Sequence, residues 1–168
     1  MPKQVFGFWR WIAVSLVVIV LDQASKHVIE ALFVHSEQHP VIPGLFNLTL
    51  AYNPGAAFSF LADAGGWQRH FFTVLAFAVS GWIIWMLKKH HTETLQSLAL
   101  SLVMGGAIGN VIDRVLFGHV IDFIQVYYRS WYFPAFNIAD SAICIGAVLM
   151  VWDSFRSSKT NAKQASTQ

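Results

Sequence analysis

The 168-residue chain has a single cysteine, Cys144, which excludes a disulfide within it. Charge is scarce. Asp, Glu, Lys and Arg make up 12% of the residues, where about 25% is usual for a soluble domain. The net charge of +2 is unclustered, so there is no basic footprint for nucleic acid. The seven histidines include His35 and His39, and His90 and His91, but no HExxH motif or Cys/His ligand spacing accompanies them, and neither a metal nor any other cofactor is expected. Apolar residues fill 55% of the chain and the mean hydropathy is +0.50, a membrane composition.

About 20 apolar residues cross a hydrocarbon core. Four stretches qualify as spans, at about 11–34, 70–87, 95–112 and 138–155. They define one integral-membrane domain over residues 1–155, followed by a Ser-, Lys-, Ala- and Gln-rich tail, 156–168, expected to be disordered. Lys3, Arg10, Lys88, Lys89, Arg156, Lys159 and Lys163 flank one side of these spans, whereas the two long loops carry only Arg69, Arg114 and Arg129. The positive-inside rule therefore predicts cytoplasmic termini and outer loops. Trp9, Trp11, Trp82, Trp85 and Trp152 then fall at the inner interface, and Trp67 and Trp131 at the outer one, as an aromatic belt does. No small-x-small cleavage site follows Leu21, so the first span reads as an uncleaved anchor.

The first outer loop alternates Leu48, Leu50 and Tyr52 with Asn47, Thr49 and Ala51, the period of a half-buried strand. Asn53-Pro54-Gly55 predicts a turn, with Ala56 to Leu61 continuing the strand pair. Val120 to Tyr128 has a similar pattern and carries Asp122. The predicted fold is all-α, four transmembrane helices with a small β-cradle on the outer membrane surface.

Ionisable groups inside a span cost roughly 2.5–3.5 kcal/mol each on insertion scales, so each needs a reason. Asp22, Lys26 and Glu30 recur every four residues on the first helix, and acid-before-base order favours an intrahelical Asp22–Lys26 pair with a structural role. The third helix sets Ser97, Ser101, Gly105, Gly109 and Asp113 at four-residue intervals, small residues that allow close helix approach. Asn110, Asp113 and Arg114 crowd its outer end, and Asn137 and Asp140 open the fourth helix at the same depth, where Asn53 and Asp122 arrive from the loops. Singly, Asp140 reads as a helix cap, Arg114 as a snorkelling residue and the asparagines as interhelical glue. Together they place two carboxylates, an arginine and amides around one outer cleft. Two carboxylates sharing a proton suit hydrolysis: the ionised one draws a proton from water while the protonated one polarises a carbonyl. Asp140, near a helix N-terminus, is expected to be the more acidic of the two.

Ser25 and Lys26 are adjacent and face different sides of a helix, which excludes a Ser–Lys dyad. Cys144, one turn past Asp140 among apolar neighbours, reads as a packing residue. A proton or ion carrier using the intramembrane carboxylates is the main rival, but it needs polar groups at several depths, and the second span and the inner halves of the third and fourth offer only Thr73, Ser80, Ser97 and Ser101. A non-catalytic assembly factor for membrane proteins is a third possibility.

Five ordered motifs resemble one family. Asp22-Gln23-Ala24-Ser25-Lys26, Asn53-Pro54-Gly55-Ala56-Ala57-Phe58-Ser59, Gly105 to Arg114, Val120-Ile121-Asp122-Phe123-Ile124 and Phe136-Asn137-Ile138-Ala139-Asp140-Ser141 are similar to the blocks of bacterial lipoprotein signal peptidase, signal peptidase II, in that family's order. The resemblance implies an aspartic endopeptidase of the bacterial inner membrane, active at its periplasmic face. It implies cleavage of prolipoproteins on the amino side of a diacylglyceryl-modified cysteine and inhibition by globomycin. By motif, Asp122 and Asp140 are implied as the catalytic pair. Asn53, Asn110, Arg114 and Asn137 are implied to surround substrate or order the pair, leaving Asp22, Lys26 and Asp113 as structural polar groups.

Overall fold

The computed structural model describes residues 2–55 and 65–165. Its elements run α1 (Pro2–Leu32), β1 (Gln38–Ile42), β2 (Phe46–Asn53), α2 (Trp67–His90), α3 (Thr94–Leu116), β3 (Val120–Tyr128), β4 (Trp131–Tyr132) and α4 (Ile138–Ala165). Four helices are long and apolar enough to cross a membrane, over Gly7–Leu32, Trp67–His90, Thr94–Leu116 and Ile138–Arg156. The four strands form an antiparallel sheet in the order β1-β2-β3-β4 at one end of the bundle.

The central element is α3, with 56% of its span window buried, against 17–28% for the other helices. Its small residues explain this. A Cβ at Gly105 would stand 2.8 Å from the Ser15 carbonyl oxygen of α1, and one at Gly106 would stand 2.3 Å from the Ala139 carbonyl oxygen of α4. The neighbouring backbones therefore approach where no other residue fits, which is how helices gain contact in lipid. Gly106 lies off the expected four-residue stripe, yet it makes the α4 seam. Ser15 Oγ reinforces the α1 seam by donating to the Ser101 carbonyl at 2.8 Å.

One apolar cluster, Trp11, Ile83, Leu87, Leu100 and Met104, joins α1, α2 and α3. A second, Ile29, Leu50, Ile121 and Phe123, seats β2 and β3 on the last turns of α1. The segment before α4 is tied to β3 as well, because the Phe136 carbonyl accepts from the Phe123 and Ile124 amides at 3.0 and 2.8 Å. α4 therefore begins beside the strand that carries Asp122.

Several expectations need correcting. Trp11 is buried in the protein rather than exposed like the other aromatic-belt residues Trp9, Trp82, Trp85 and Trp152, and its indole donates to the His91 carbonyl at the end of α2 at 2.9 Å. The β2 face does not alternate cleanly: Asn47 and Thr49 are buried with Leu50, while Tyr52 is exposed. A register shift between Leu48 and Ala51 breaks the period of two. β2 pairs with β1, which the sequence pattern did not suggest, and with β3; the expected continuation through Ala56 to Leu61 lies outside the described residues. Past Phe155 the backbone of α4 is helical to Ala165. That stretch contains no Gly or Pro to stop a helix, and its Arg, Lys, Gln and Ala are good helix formers.

Candidate active site

Asp122 and Asp140 open onto one cleft of about 360 Å³, whose polar floor also holds Asn53, Asn110 and Arg114. Its walls are apolar, from the Phe133–Phe136 segment and from Cys144 and Ile145 one turn along α4. The strand register delivers the first carboxylate. Ala51 pairs with Asp122 and Asn53 with Val120, so Asn53 and Asp122 are diagonal neighbours on one face of the sheet. Asn53 Nδ2 donates to Asp122 Oδ2 at 3.1 Å, and Asn137 Nδ2 donates to Asp122 Oδ1 at 2.8 Å.

A reciprocal helix cap delivers the second. The Asp140 amide donates to Asn137 Oδ1 at 2.8 Å, and the Asn137 amide donates to Asp140 Oδ2 at 3.3 Å. This is a capping box with Asn and Asp in the usual positions of Ser and Glu. The capping reading of Asp140 is thus correct, but it uses only one carboxylate oxygen. Oδ1 accepts from Asn110 Nδ2 at 2.7 Å.

The orientation of all three amides is set by groups that can only donate. Gly55 N–H donates to Asn53 Oδ1 at 3.0 Å, Asp140 N–H to Asn137 Oδ1, and the Lys26 ammonium to Asn110 Oδ1 at 3.1 Å. With its acceptor end occupied, each asparagine turns its NH₂ to a carboxylate. Burial nevertheless pushes the Asp122 carboxyl up to about 7, and the charge of Asp140 adds to the rise; the hydrogen bond from Asn53, the Lys26 charge and the Asn137 amide pull the other way without prevailing. Asp122 thus keeps its proton into the neutral range. If that proton is used in turnover, kcat/KM falls as pH rises through about 7. Asn53→Ala removes a donor that favours the ionised form, so that basic limb moves to higher pH, as a pH–rate profile would register.

Asn137 is fully buried and does not line the cleft; it orders both carboxylates from beneath. Asp22, Lys26 and Asp113 are likewise sealed off. Lys26 Nζ lies 2.7 Å from Asp22 Oδ2, the expected intrahelical pair, and 2.7 Å from Asp113 Oδ2. Asp22 Oδ1 accepts from the Ala139 amide at 2.9 Å and Asp113 Oδ2 from the Ile121 amide at 3.1 Å, so the cluster ties α1 to α3, α4 and β3. The stripe does not extend to Glu30, which is half-buried, because Ile29 takes the inward position. Arg114 donates to the Asn110 and Gly55 carbonyls at 3.2 and 3.1 Å and lies over the Phe72 ring.

Some participants escaped sequence reasoning. Gln23 Nε2 donates to Asp113 Oδ1 at 2.8 Å, and the signal for it was an amide inside an apolar span. Cys144 is exposed and lines the cleft; it is not a packing residue. Ser141 and Ile145 join it; Cys144, four residues past Asp140 on the same helix face, is the one whose spacing could have shown this. Among the described residues, no three His, Cys, Asp or Glu side chains converge as a metal site would need.

A family model described as signal peptidase (SPase) II matches residues 14–156. The lipoprotein signal peptidase of Chromobacterium violaceum is 59% identical over 151 residues, covering 89% of this chain and 93% of its own. That of Pseudomonas fluorescens is 53% identical over 164 residues, covering 95% and 96%. That of Neisseria meningitidis serogroup C is 49% identical over 164 residues, covering 98% and 99%. A solved bacterial membrane enzyme superimposes with a TM-score of 0.81 at 32% identity, covering 90% of each chain. A second gives 0.73 at 30%, covering 86% of this chain and 91% of the other.

Proposed function

Because this chain belongs to the signal peptidase II family, and so is a membrane peptidase that removes signal peptides from prolipoproteins, we propose that Asp122 and Asp140 are the pair that performs the hydrolysis. One observation carries this reading: the two carboxylates face a common cleft and both are held from behind by asparagine amides. Asp140, in the first turn of α4 where the backbone dipole favours negative charge, takes a proton from water. The water oxygen attacks the scissile carbonyl carbon as Asp122 protonates the carbonyl oxygen. Collapse of the resulting gem-diol returns one hydroxyl proton to Asp122 and breaks the C–N bond, while the proton held by Asp140 goes to the leaving amine, so both carboxyls end in their starting states.

The substrate bond is the one on the amino side of a diacylglyceryl-modified cysteine. Such a residue is anchored by its acyl chains, and the cleft's apolar extension over Cys144 and Ile145 suits them. The Lys and Arg distribution supports cytoplasmic termini, and hence a site at the periplasmic face of the bacterial inner membrane. A cyclic peptide such as globomycin would compete for the same cleft.

The test is reconstitution with a diacylglyceryl-modified precursor, reading the product's new N-terminus by mass spectrometry. Wild-type protein is expected to yield an N-terminal lipid-modified cysteine, and the single Asp122→Asn and Asp140→Asn variants none; processing by either variant at the wild-type rate removes the reading. Asp113→Asn is the control, since its carboxylate is consumed by Lys26, Gln23 and the Ile121 amide. It should lower Tm and keep its turnover. Arg114→Ala should lower kcat/KM by about 100-fold, the scale of a misplaced reacting group. Arg114→Lys should not restore it, because the two carbonyls are met by separate nitrogens of a planar guanidinium, a fork that an ammonium lacks. Unchanged turnover in Arg114→Ala would exclude a positioning role for this residue.

A further inference from the structure

Lys26 is wholly buried; its ammonium donates to Asp22 Oδ2 and Asn110 Oδ1 and forms an ion pair with Asp113 Oδ2 at 2.7 Å. The two carboxylates alone would satisfy it as an ion cluster. The Asn110 contact is different in kind, because it reaches an amide whose other end holds Asp140 at 2.7 Å. An ammonium has no lone pair, so it tolerates only the carbonyl end of that amide. A flipped Asn110 would set NH₂ against ammonium and oxygen against the Asp140 carboxylate.

Asn53 and Asn137 are oriented by backbone N–H groups, which no side-chain substitution removes. Asn110 depends on side chains. Its other donor, Asn137 Nδ2, is shared with Asp122 Oδ1 and the Ile121 carbonyl, at 2.8 and 3.2 Å. Lys26 is the donor with a proton to commit. We propose that Lys26 is a positioning residue for the reaction, fixing the Asn110 amide and through it the carboxylate of Asp140. This rests on Asp140 being catalytic and adds that the Lys26 ammonium, through Asn110, acts on turnover as well as on folding.

The test is the double variant Lys26→Met/Asp113→Asn, which removes the ammonium while leaving the net charge of the buried group unchanged. Its folded fraction should show kcat lowered by about 100-fold with KM little changed, as expected for a misaligned reacting group. Asp113→Asn alone should keep its turnover. In an Asn110→Ala background the double substitution should cause no further loss, because the path it cuts is already gone. Normal kcat in the folded double variant, or losses that multiply in the Asn110→Ala background, overturn the proposal. Should the double variant not fold, Lys26→Gln decides: its amide can present either a donor or an acceptor to Asn110, so a partial loss of kcat is expected and normal kcat overturns. Failure of both to fold assigns Lys26 to the fold alone and also overturns it. An active Asp140→Asn enzyme would instead strike at the catalytic assignment.

Discussion

Replacing either Asp122 or Asp140 by asparagine should lower kcat for precursor cleavage by about 10⁴-fold, the upper end of what a positioned acid or base contributes. The two act as a unit, so the double Asp→Asn variant should be little slower than either single one. Folding does not explain such a loss. Both oxygens of Asp122 face amide donors, so the NH₂ half of an asparagine there meets another NH₂, a mismatch of about 1–3 kcal/mol. Relief of the repulsion between two buried carboxylates offsets part of that. The Tm in detergent should therefore fall modestly, and the rate per folded molecule should carry the effect. A variant that unfolds outright, or that cleaves at a tenth of the normal rate once corrected for folded fraction, contradicts this account.

The second large effect is structural. Gly106→Val should undock α4, because even a Cβ at this position meets the Ala139 carbonyl oxygen at 2.3 Å and Ile143 Cγ1 at 2.8 Å. The first of these is backbone in the opening turn of α4 and cannot swing aside. The cost belongs at the top of the overpacking range, about 3 kcal/mol or more. Since Ala139 directly precedes Asp140, any accommodation also moves a carboxylate of the site, and activity should fall with Tm. Gly81→Ala provides the contrast. Nothing lies within 4 Å of a Cβ there, and a mid-helix alanine replaces glycine with a gain of roughly 0.5–1 kcal/mol. Thermal unfolding of the three proteins side by side would check the order; a Gly106→Val protein as stable as wild type would show that the seam is loose.

The spans and the site were legible in the sequence for different reasons. Each helix announces itself through an apolar run that lipid requires, so all four were found with ends shifted by a few residues. The polar residues were legible because water-seeking groups in such runs need one another. Asn53, Asn110, Arg114, Asp122 and Asp140 do line one cleft. What stayed hidden depends on geometry between segments. Nothing in the β2 sequence marks the shift at Leu48 to Ala51 that turns Tyr52 outward. Nothing in the sequence marks Trp11 as buried, with the His91 carbonyl as its partner. Gly106 differs from Gly105 only by which neighbour it meets. The link from Lys26 to Asn110 spans 84 positions and leaves no local trace.

That separation has a consequence for how the chain is made. When α1 leaves the ribosome, Lys26 has only Asp22 to neutralise it, and Asp113 and Asn110 have yet to be translated. The second half of α1 is then a poor resident of lipid and should linger at the insertion machinery until α3 arrives. Chains halted before α3 should accordingly be degraded faster than the full-length protein, which a pulse–chase comparison of the two would check.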